Sequence, residues 1–255
     1  RVVHHQFGLP GLVTAPAVDN GALTHPLMHT NYKPVIASGS NSYPEPPIFR
    51  GQHLAPSIGS GTATFSGVET GPSTANDLCI CVVVGNGDGR TMTGATVTIP
   101  GFSNPTATVV VSANGMAIFQ FEKPGGLTAT IVTSWSGGDW ANEPQLHVYS
   151  VRKSTLSSLT AVGSNSAQQA SVTTKSVDIA TSLGGIIIAA TKQHSLTTEG
   201  AISGDAAYAE GDHRLVGACT GVVASASPTA ADAANTVTGT FSDTATSGIF
   251  AASWR

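Results

Sequence analysis

The stretch Asp77-Leu-Cys-Ile-Cys-Val-Val-Val84 contains the longest apolar run of the chain, and a second run, Ile186-Ile-Ile-Ala-Ala190, lies in its second half. Both runs are rich in β-branched residues, which favour strands, and glycines follow the first run and precede the second. Because a strand covered on both faces shows no polar alternation, we expect both runs to lie in the middle of two sheets. Both are far shorter than the roughly 18 apolar residues of a membrane-spanning helix, so no membrane insertion is expected.

The composition of the whole chain also favours strands. Only 10% of the 255 residues are charged, while 40% are hydrophobic. Small polar residues replace the missing charge, with 31 Thr and 27 Ser beside 29 Gly. This mixture is poor in strong helix formers other than Ala, and it predicts an all-β fold. The net charge of -4 and the lack of Lys or Arg clusters argue against nucleic-acid binding.

Short apolar or alternating segments, separated by turn residues, begin at about residue 61 and continue to residue 255. This spacing predicts an antiparallel two-sheet β-sandwich, jelly-roll-like, over residues 61–255. Asn114-Gly115 and Pro124-Gly125-Gly126 are typical of turns, and 228–234 is the one segment predicted to form a helical turn. The predicted strands are 62–68, 77–84, 95–99, 107–112, 116–122, 128–134, 145–151, 157–162, 171–179, 185–191, 201–209, 214–223, 235–241 and 248–254.

Residues 1–60 differ in texture from the rest of the chain. They hold eight of the fourteen prolines, which disfavour helices and central strands and so predict an extended arm. The arm is also apolar, unlike a flexible linker, and its side chains therefore need a surface to cover. Two alternatives stay open: the arm packs along another subunit, or it wraps back over its own domain. The predicted docking residues are Phe7, Leu9, Leu27, Tyr32, Tyr43, Ile48 and Phe49.

The three cysteines, Cys79, Cys81 and Cys219, are predicted to be reduced and buried. Cys79 and Cys81 share one face of a strand at a spacing unsuited to a disulfide, and such a pattern suits a reducing compartment. Histidine pairs such as His25 and His29 lie in the Pro-rich arm, where a helical ligand spacing is disfavoured. We expect no metal site. The sequence contains no phosphate-binding motif, so we expect no cofactor.

Catalytic patterns are weak throughout. No G-x-S-x-G motif occurs, so a serine hydrolase is not indicated. The densest acidic group is Glu199, Asp205, Glu210 and Asp212. Such acids could in principle cleave a glycan, but they are more typical of solvated loops. We therefore expect a protein that is not an enzyme.

Two tryptophans flank a Gly-rich turn in Trp135-Ser-Gly-Gly-Asp-Trp140. Trp135 is in phase with the strand before it and is predicted to be part of the core. Trp140 is the better candidate for an exposed ring, and exposed aromatic rings with a neighbouring acid are used in sugar binding. Trp140 and Asp139 are therefore predicted glycan contacts.

Several strand patterns together resemble a known class of protein. They are 77–85, 96–101, 146–151, 184–191 and the C-terminal Gly248-Ile-Phe-Ala-Ala-Ser-Trp-Arg255. The sandwich part of the chain resembles β-sandwich virion structural proteins, head-spike, fibre or tail-associated, of tailed bacteriophages, prophages and gene transfer agents. The resemblance carries over no active-site residue. It implies a virion component assembled in the bacterial cytoplasm.

The arm and the resemblance lead to one expected function. The arm would dock the chain onto other virion proteins, and the sandwich would project outward, with a host surface glycan as a candidate partner. Proteins of this kind usually form closed symmetric homo-oligomers. The alternative is a free carbohydrate-binding β-sandwich module.

Overall fold

The computed structural model describes residues 46–255 except 56, 60, 73–76, 86–88, 138–143, 154–155, 170–171, 194–199, 217–218, 242–243 and 245. The described residues belong to one compact unit, Ser42–Arg255. Its strands are β1 Ile48–Leu54, β2 Ser57–Gly59, β3 Thr62–Glu69, β4 Asp77–Val84, β5 Thr91–Thr98, β6 Ala107–Ala113, β7 Met116–Glu122, β8 Thr128–Ser136, β9 Gln145–Arg152, β10 Gly163–Gln169, β11 Thr174–Thr181, β12 Ile186–Gln193, β13 Ala201–Gly204, β14 Tyr208–Val216, β15 Cys219–Ala226, β16 Asp232–Thr240 and β17 Ser247–Trp254.

These strands form four antiparallel sheets, which confirms the all-β sandwich prediction. Sheet I has the order β2-β3-β8-β5 and sheet II the order β1-β9-β4-β7-β6. Sheet III has the order β10-β17-β12-β15-β14 and sheet IV the order β11-β16-β13. The first half of the chain therefore builds sheets I and II, and the second half builds sheets III and IV.

Three separate apolar clusters show that the sheets are stacked in the order I, II, III, IV. One cluster joins sheets I and II, a second joins II and III, and a third joins III and IV. Strand β4 shows how sheet II serves two of them. Cys79, Cys81 and Val83 point into the first cluster, whereas Leu78 and Ile80 point into the second. Each central sheet is thus covered on both faces, while a two-sheet sandwich would leave one face of every sheet in water.

Strand β12 repeats this arrangement in sheet III. Ile187 and Ala189 face sheet IV, and Ile186, Ile188 and Ala190 face sheet II. The two apolar runs of the sequence are therefore β4 and β12, which lie in the middle of sheets II and III, and the middle of a sheet is the position predicted for them. Every residue of both strands is buried.

The outer sheets alternate between buried and exposed residues. Strand β8 of sheet I follows this alternation closely, and Trp135 lies in the first cluster as predicted. On the outer face of sheet IV, the Ser176 and Thr238 hydroxyls are 2.8 Å apart, and Thr236 Oγ1 donates to Asp178 Oδ1 at 2.8 Å. The Thr and Ser content of the chain thus includes hydroxyl ladders on a solvated sheet face.

Turn chemistry positions the hairpins. Asn114 and Gly115, between β6 and β7, both have positive φ, 53° and 76°, as the predicted Asn-Gly turn requires. The predicted helical turn at 228–234 is wrong, because β16 already begins at Asp232. The side chain of Asp232 accepts a hydrogen bond from Ala234 N at 2.9 Å.

Candidate functional site

The first described strand, β1, belongs to the part of the chain predicted to be the arm, residues 1–60. Of the predicted docking residues, Phe7, Leu9, Leu27, Tyr32 and Tyr43 lie outside the described residues. Ile48 and Phe49 lie in β1, which pairs with β9 at the edge of sheet II. Residues 48–54 and 57–59, assigned to the arm from their sequence, are thus strands of the folded unit. They pair with β9 and β3 of the same unit.

Phe49 holds β1 against the second apolar cluster. Its ring lies 5.3 Å from the ring of Tyr149, centroid to centroid, and 6.3 Å from that of His147. Both partners belong to β9 and are fully buried. Aromatic pairs at these separations contribute beyond the area that they bury. Phe49 is therefore part of the core packing of this unit, while Ile48, one residue earlier, is 50% exposed.

Polar side chains tie β1 to two sheets. Arg50 Nε donates to Ser150 Oγ at 2.6 Å within sheet II. His53 Nε2 accepts a hydrogen bond from Glu69 N of sheet I at 3.4 Å. Partial burial lowers the pKa of His53, and the Glu69 carboxylate opposes this shift. The neutral imidazole that accepts this bond is thereby favoured. We call β1 with these contacts the anchor strand.

The predicted glycan contacts, Trp140 and Asp139, lie outside the described residues. Trp135, at the start of the same motif, donates through Nε1 to Thr133 Oγ1 at 2.9 Å and is buried. This indole therefore belongs to the core.

Asp205 is the one member of the predicted acidic group whose side chain lies in the described part of the structure. Asp205 is exposed, and its Oδ2 accepts a hydrogen bond from Thr236 N at 2.8 Å, which is a structural role at the end of β13. Glu210 and Asp212 lie on edge strand β14, but their side chains, like the whole of Glu199, are outside the described part. The described residues contain no group of three or more His, Cys, Asp or Glu placed to hold a metal.

Cys79 and Cys81 are free thiols in the first cluster. Burial raises the pKa of Cys79 to about 12, with the nearby Lys123 acting in the opposite direction. Burial also raises the pKa of Cys81. Both side chains are thus protonated small hydrophobes at neutral pH, and the side chain of Cys219 lies outside the described part.

One cleft was not indicated by the sequence. It has a volume of about 410 Å³ and lies at one end of the strands of sheet II, where β6 begins and where β7 and β9 end. Glu122 and Lys153 form an ion pair there, and both side chains are substantially exposed. The lining residues are Ser103, Pro105, Thr106, Glu122, Lys123, Pro124 and Lys153.

Lys123 is the buried residue of the cleft lining. Its ammonium group is buried, and it donates to the carbonyl oxygens of Pro72 and Gly126, the latter at 3.0 Å. Burial lowers the pKa of Lys123, and the neighbouring Cys79 and Asp77 oppose this shift. The exposed charges of the cleft are therefore those of the Glu122–Lys153 pair.

The fold and these sites define an all-β protein with four stacked sheets. No protein-family model, no curated protein and no solved structure matches the chain. Among the described residues, no helix is long and apolar enough to cross a membrane.

Proposed function

We propose that the chain is a structural subunit of a phage or phage-like particle. Its N-terminal segment, which is the part of the predicted arm that precedes β1, holds it in place. The observation that carries the proposal is the anchor strand. The apolar, Pro-rich segment ends at a strand that pairs with β9 from Ile48 to Leu54, with one register shift between Phe49 and Gly51. A force on the segment would act on β1 and, through β9, on sheet II, which is one of the two central sheets.

The stack itself suits a mechanical part. Both central sheets are covered on their two faces, so strands β4, β12 and β17 are buried along their whole length. Close-packed interiors resist deformation, and three stacked cores give a stiff body. We propose a phage particle and not another kind of assembly because the strand patterns resemble those of virion proteins. The virion is accordingly the proposed location, with other virion proteins and copies of this chain as partners.

The test compares the full chain with a chain that begins at residue 46, which keeps the anchor strand. We expect the full chain to form an oligomer in light scattering, and the shortened chain to be a monomer with an unchanged melting temperature. A full-length variant with Ser at Phe7, Leu9, Leu27, Tyr32 and Tyr43 is the matched control for length. An oligomer with the same number of subunits for all three chains would rule out assembly through the segment.

Incorporation into particles tests the location separately. In cells that produce phage-like particles, the tagged full chain should sediment with the purified particles, while the chain that begins at residue 46 should stay in the supernatant. Equal incorporation of both chains would contradict docking through the segment.

A further inference from the structure

We infer that the cleft at the end of strands β7 and β9 in sheet II is a binding site for a neutral pyranose unit of a glycan. The site is different from the predicted Trp140 and Asp139 contact. It does not depend on the assembly role proposed above, because it is built entirely within the described unit.

The first argument is an aromatic ring held in a fixed place. Phe102 is 45% exposed, although a free Phe ring usually avoids water. The ring packs on the backbone of Gly125 and Gly126, both at positive φ, and a Cβ atom at Gly125 would overlap it. Two glycines thus leave room for the ring. Ser103 and Pro124, the chain neighbours of Phe102 and Gly125, line the cleft, so the ring is held next to residues of the lining.

The second argument is the polar lining. Sugar hydroxyls both donate and accept hydrogen bonds, and so do the hydroxyls of Ser103 and Thr106. Glu122 adds acceptors and Lys153 adds donors, and these two side chains already form an ion pair. Their charges cancel, which favours a neutral ligand over an anion such as a phosphate. The ring edges of Pro105 and Pro124 add apolar surface for the carbon face of a sugar.

The third argument concerns size and chemistry. A volume of about 410 Å³ falls in the usual range of ligand pockets, roughly 300 to 1,000 Å³, and can receive a sugar ring. Glycosidases generally need two carboxyl groups flanking the bond that breaks. Glu122 is the one carboxylate among the described residues that line the cleft. The site therefore binds a sugar without cleaving it.

The test uses the full chain and the methyl pyranosides of glucose, galactose, N-acetylglucosamine, rhamnose and glucuronic acid as probes. Saturation-transfer NMR detects binding, and amide shifts in a ¹⁵N-labelled sample locate it. We expect at least one neutral pyranoside to bind, with amide shifts concentrated in 102–106 and 122–127. Phe102→Ala should weaken binding about fivefold, since contact with one ring is worth roughly 1 kcal/mol and a factor of ten corresponds to about 1.4 kcal/mol.

Two further variants keep the test decisive. Lys153→Met removes a polar group from the surface of the cleft and should also weaken binding. Leu183→Ala removes an equally exposed apolar side chain from the turn before β12, outside the cleft, and should leave binding unchanged. Melting temperatures confirm that each variant is folded. The inference is overturned if no neutral probe binds, if only the glucuronide binds, or if Phe102→Ala binds as well as the unaltered chain. Any of these results would leave the truncation experiment on assembly unaffected.

Discussion

The indole Nε1 of Trp254 donates a hydrogen bond to Oε1 of Gln120, 2.5 Å away, across the core between sheets III and II. The Gln120 amide nitrogen in turn donates to the carbonyl oxygen of Leu159, in the segment that links β9 to β10. At the other end of β12, the buried Lys192 ammonium donates to the carbonyl oxygens of Gly85 and Asn114 of the first half of the chain. The apolar interface between the halves is thus flanked by polar contacts, which favour one relative position of the two central sheets.

Gln120→Leu should destabilise the protein by about 1 to 3 kcal/mol, because it leaves the buried indole N–H of Trp254 without its acceptor. Urea unfolding measures the loss. Trp254→Phe removes the donor, so the double variant should lose less than the sum of the two single variants. Strictly additive losses would mean that the hydrogen bond contributes nothing to the interface.

Gly221→Val should destabilise the protein by about 1 to 3 kcal/mol through overpacking. A Cβ atom at Gly221 of sheet III would lie 2.9 Å from Cγ1 of Val84 in sheet II, and a Val side chain has little rotamer freedom to yield. Thermal unfolding is the measurement. Adding Val84→Ala should restore part of the loss. Gly94 of β5 has open space around its Cβ position, so Gly94→Val is the control and should be close to neutral.

The stability of the protein should fall as the pH rises above 9. The pKa of Cys79 is about 12 in the folded protein against 9.0 ordinarily, so the unfolded chain loses this proton first. The stabilisation is complete below pH 9 and is lost progressively toward pH 12, with a slope of at most about 1.4 kcal/mol per pH unit for each such thiol.

Urea unfolding of the unaltered chain and of Cys79→Ala between pH 8 and 10.5 checks this expectation. The variant should be less stable at pH 8, and the difference should narrow as the pH rises. Lys123, whose lowered pKa acts with the opposite sign, is present in both chains. Parallel stability curves would show that Cys79 does not titrate differently in the two states.

Lys123→Met should loosen the loop after β7. The carbonyl oxygens of Pro72 and Gly126 lose their buried donor, and an unsatisfied buried group costs about 1 to 3 kcal/mol. We expect faster amide exchange at Thr70, whose N–H donates to the Leu127 carbonyl at 2.9 Å. Lys153→Met is the control, since its half-exposed ion pair contributes less than about 1 kcal/mol. Equal exchange in both variants would contradict this role of Lys123.

Strand positions were predictable where apolar residues alternate or run continuously. The predicted and observed bounds of β4 and β7 coincide. The predicted strand at 157–162 is wrong, because Leu156 and Leu159 pack on the second cluster from a linking segment, and the strand that follows is Gly163–Gln169. The sequence Gly-Ser-Asn-Ser-Ala-Gln-Gln has no apolar pattern, so β10 depends on pairing with β17.

The number of stacked sheets was harder to predict from the sequence than the positions of the strands. A run such as Leu78–Val84 indicates that both faces of a strand are covered. It does not say which residues supply the cover. The cleft could not be predicted for a similar reason, since Ser103, Glu122 and Lys153 belong to separate segments that meet only because β6 begins where β7 and β9 end.

The sequence by itself determined the all-β class, the Asn114-Gly115 turn and the two strands that lie deepest, because these follow from local backbone preference and from the period of apolar residues. The tertiary structure decided the stacking of four sheets, the place of residues 48–54 in the fold, and the meeting of Ser103 with the Glu122–Lys153 pair in one cleft. Those features depend on which surfaces are complementary across long stretches of chain, and local preference carries no information about such distant partners.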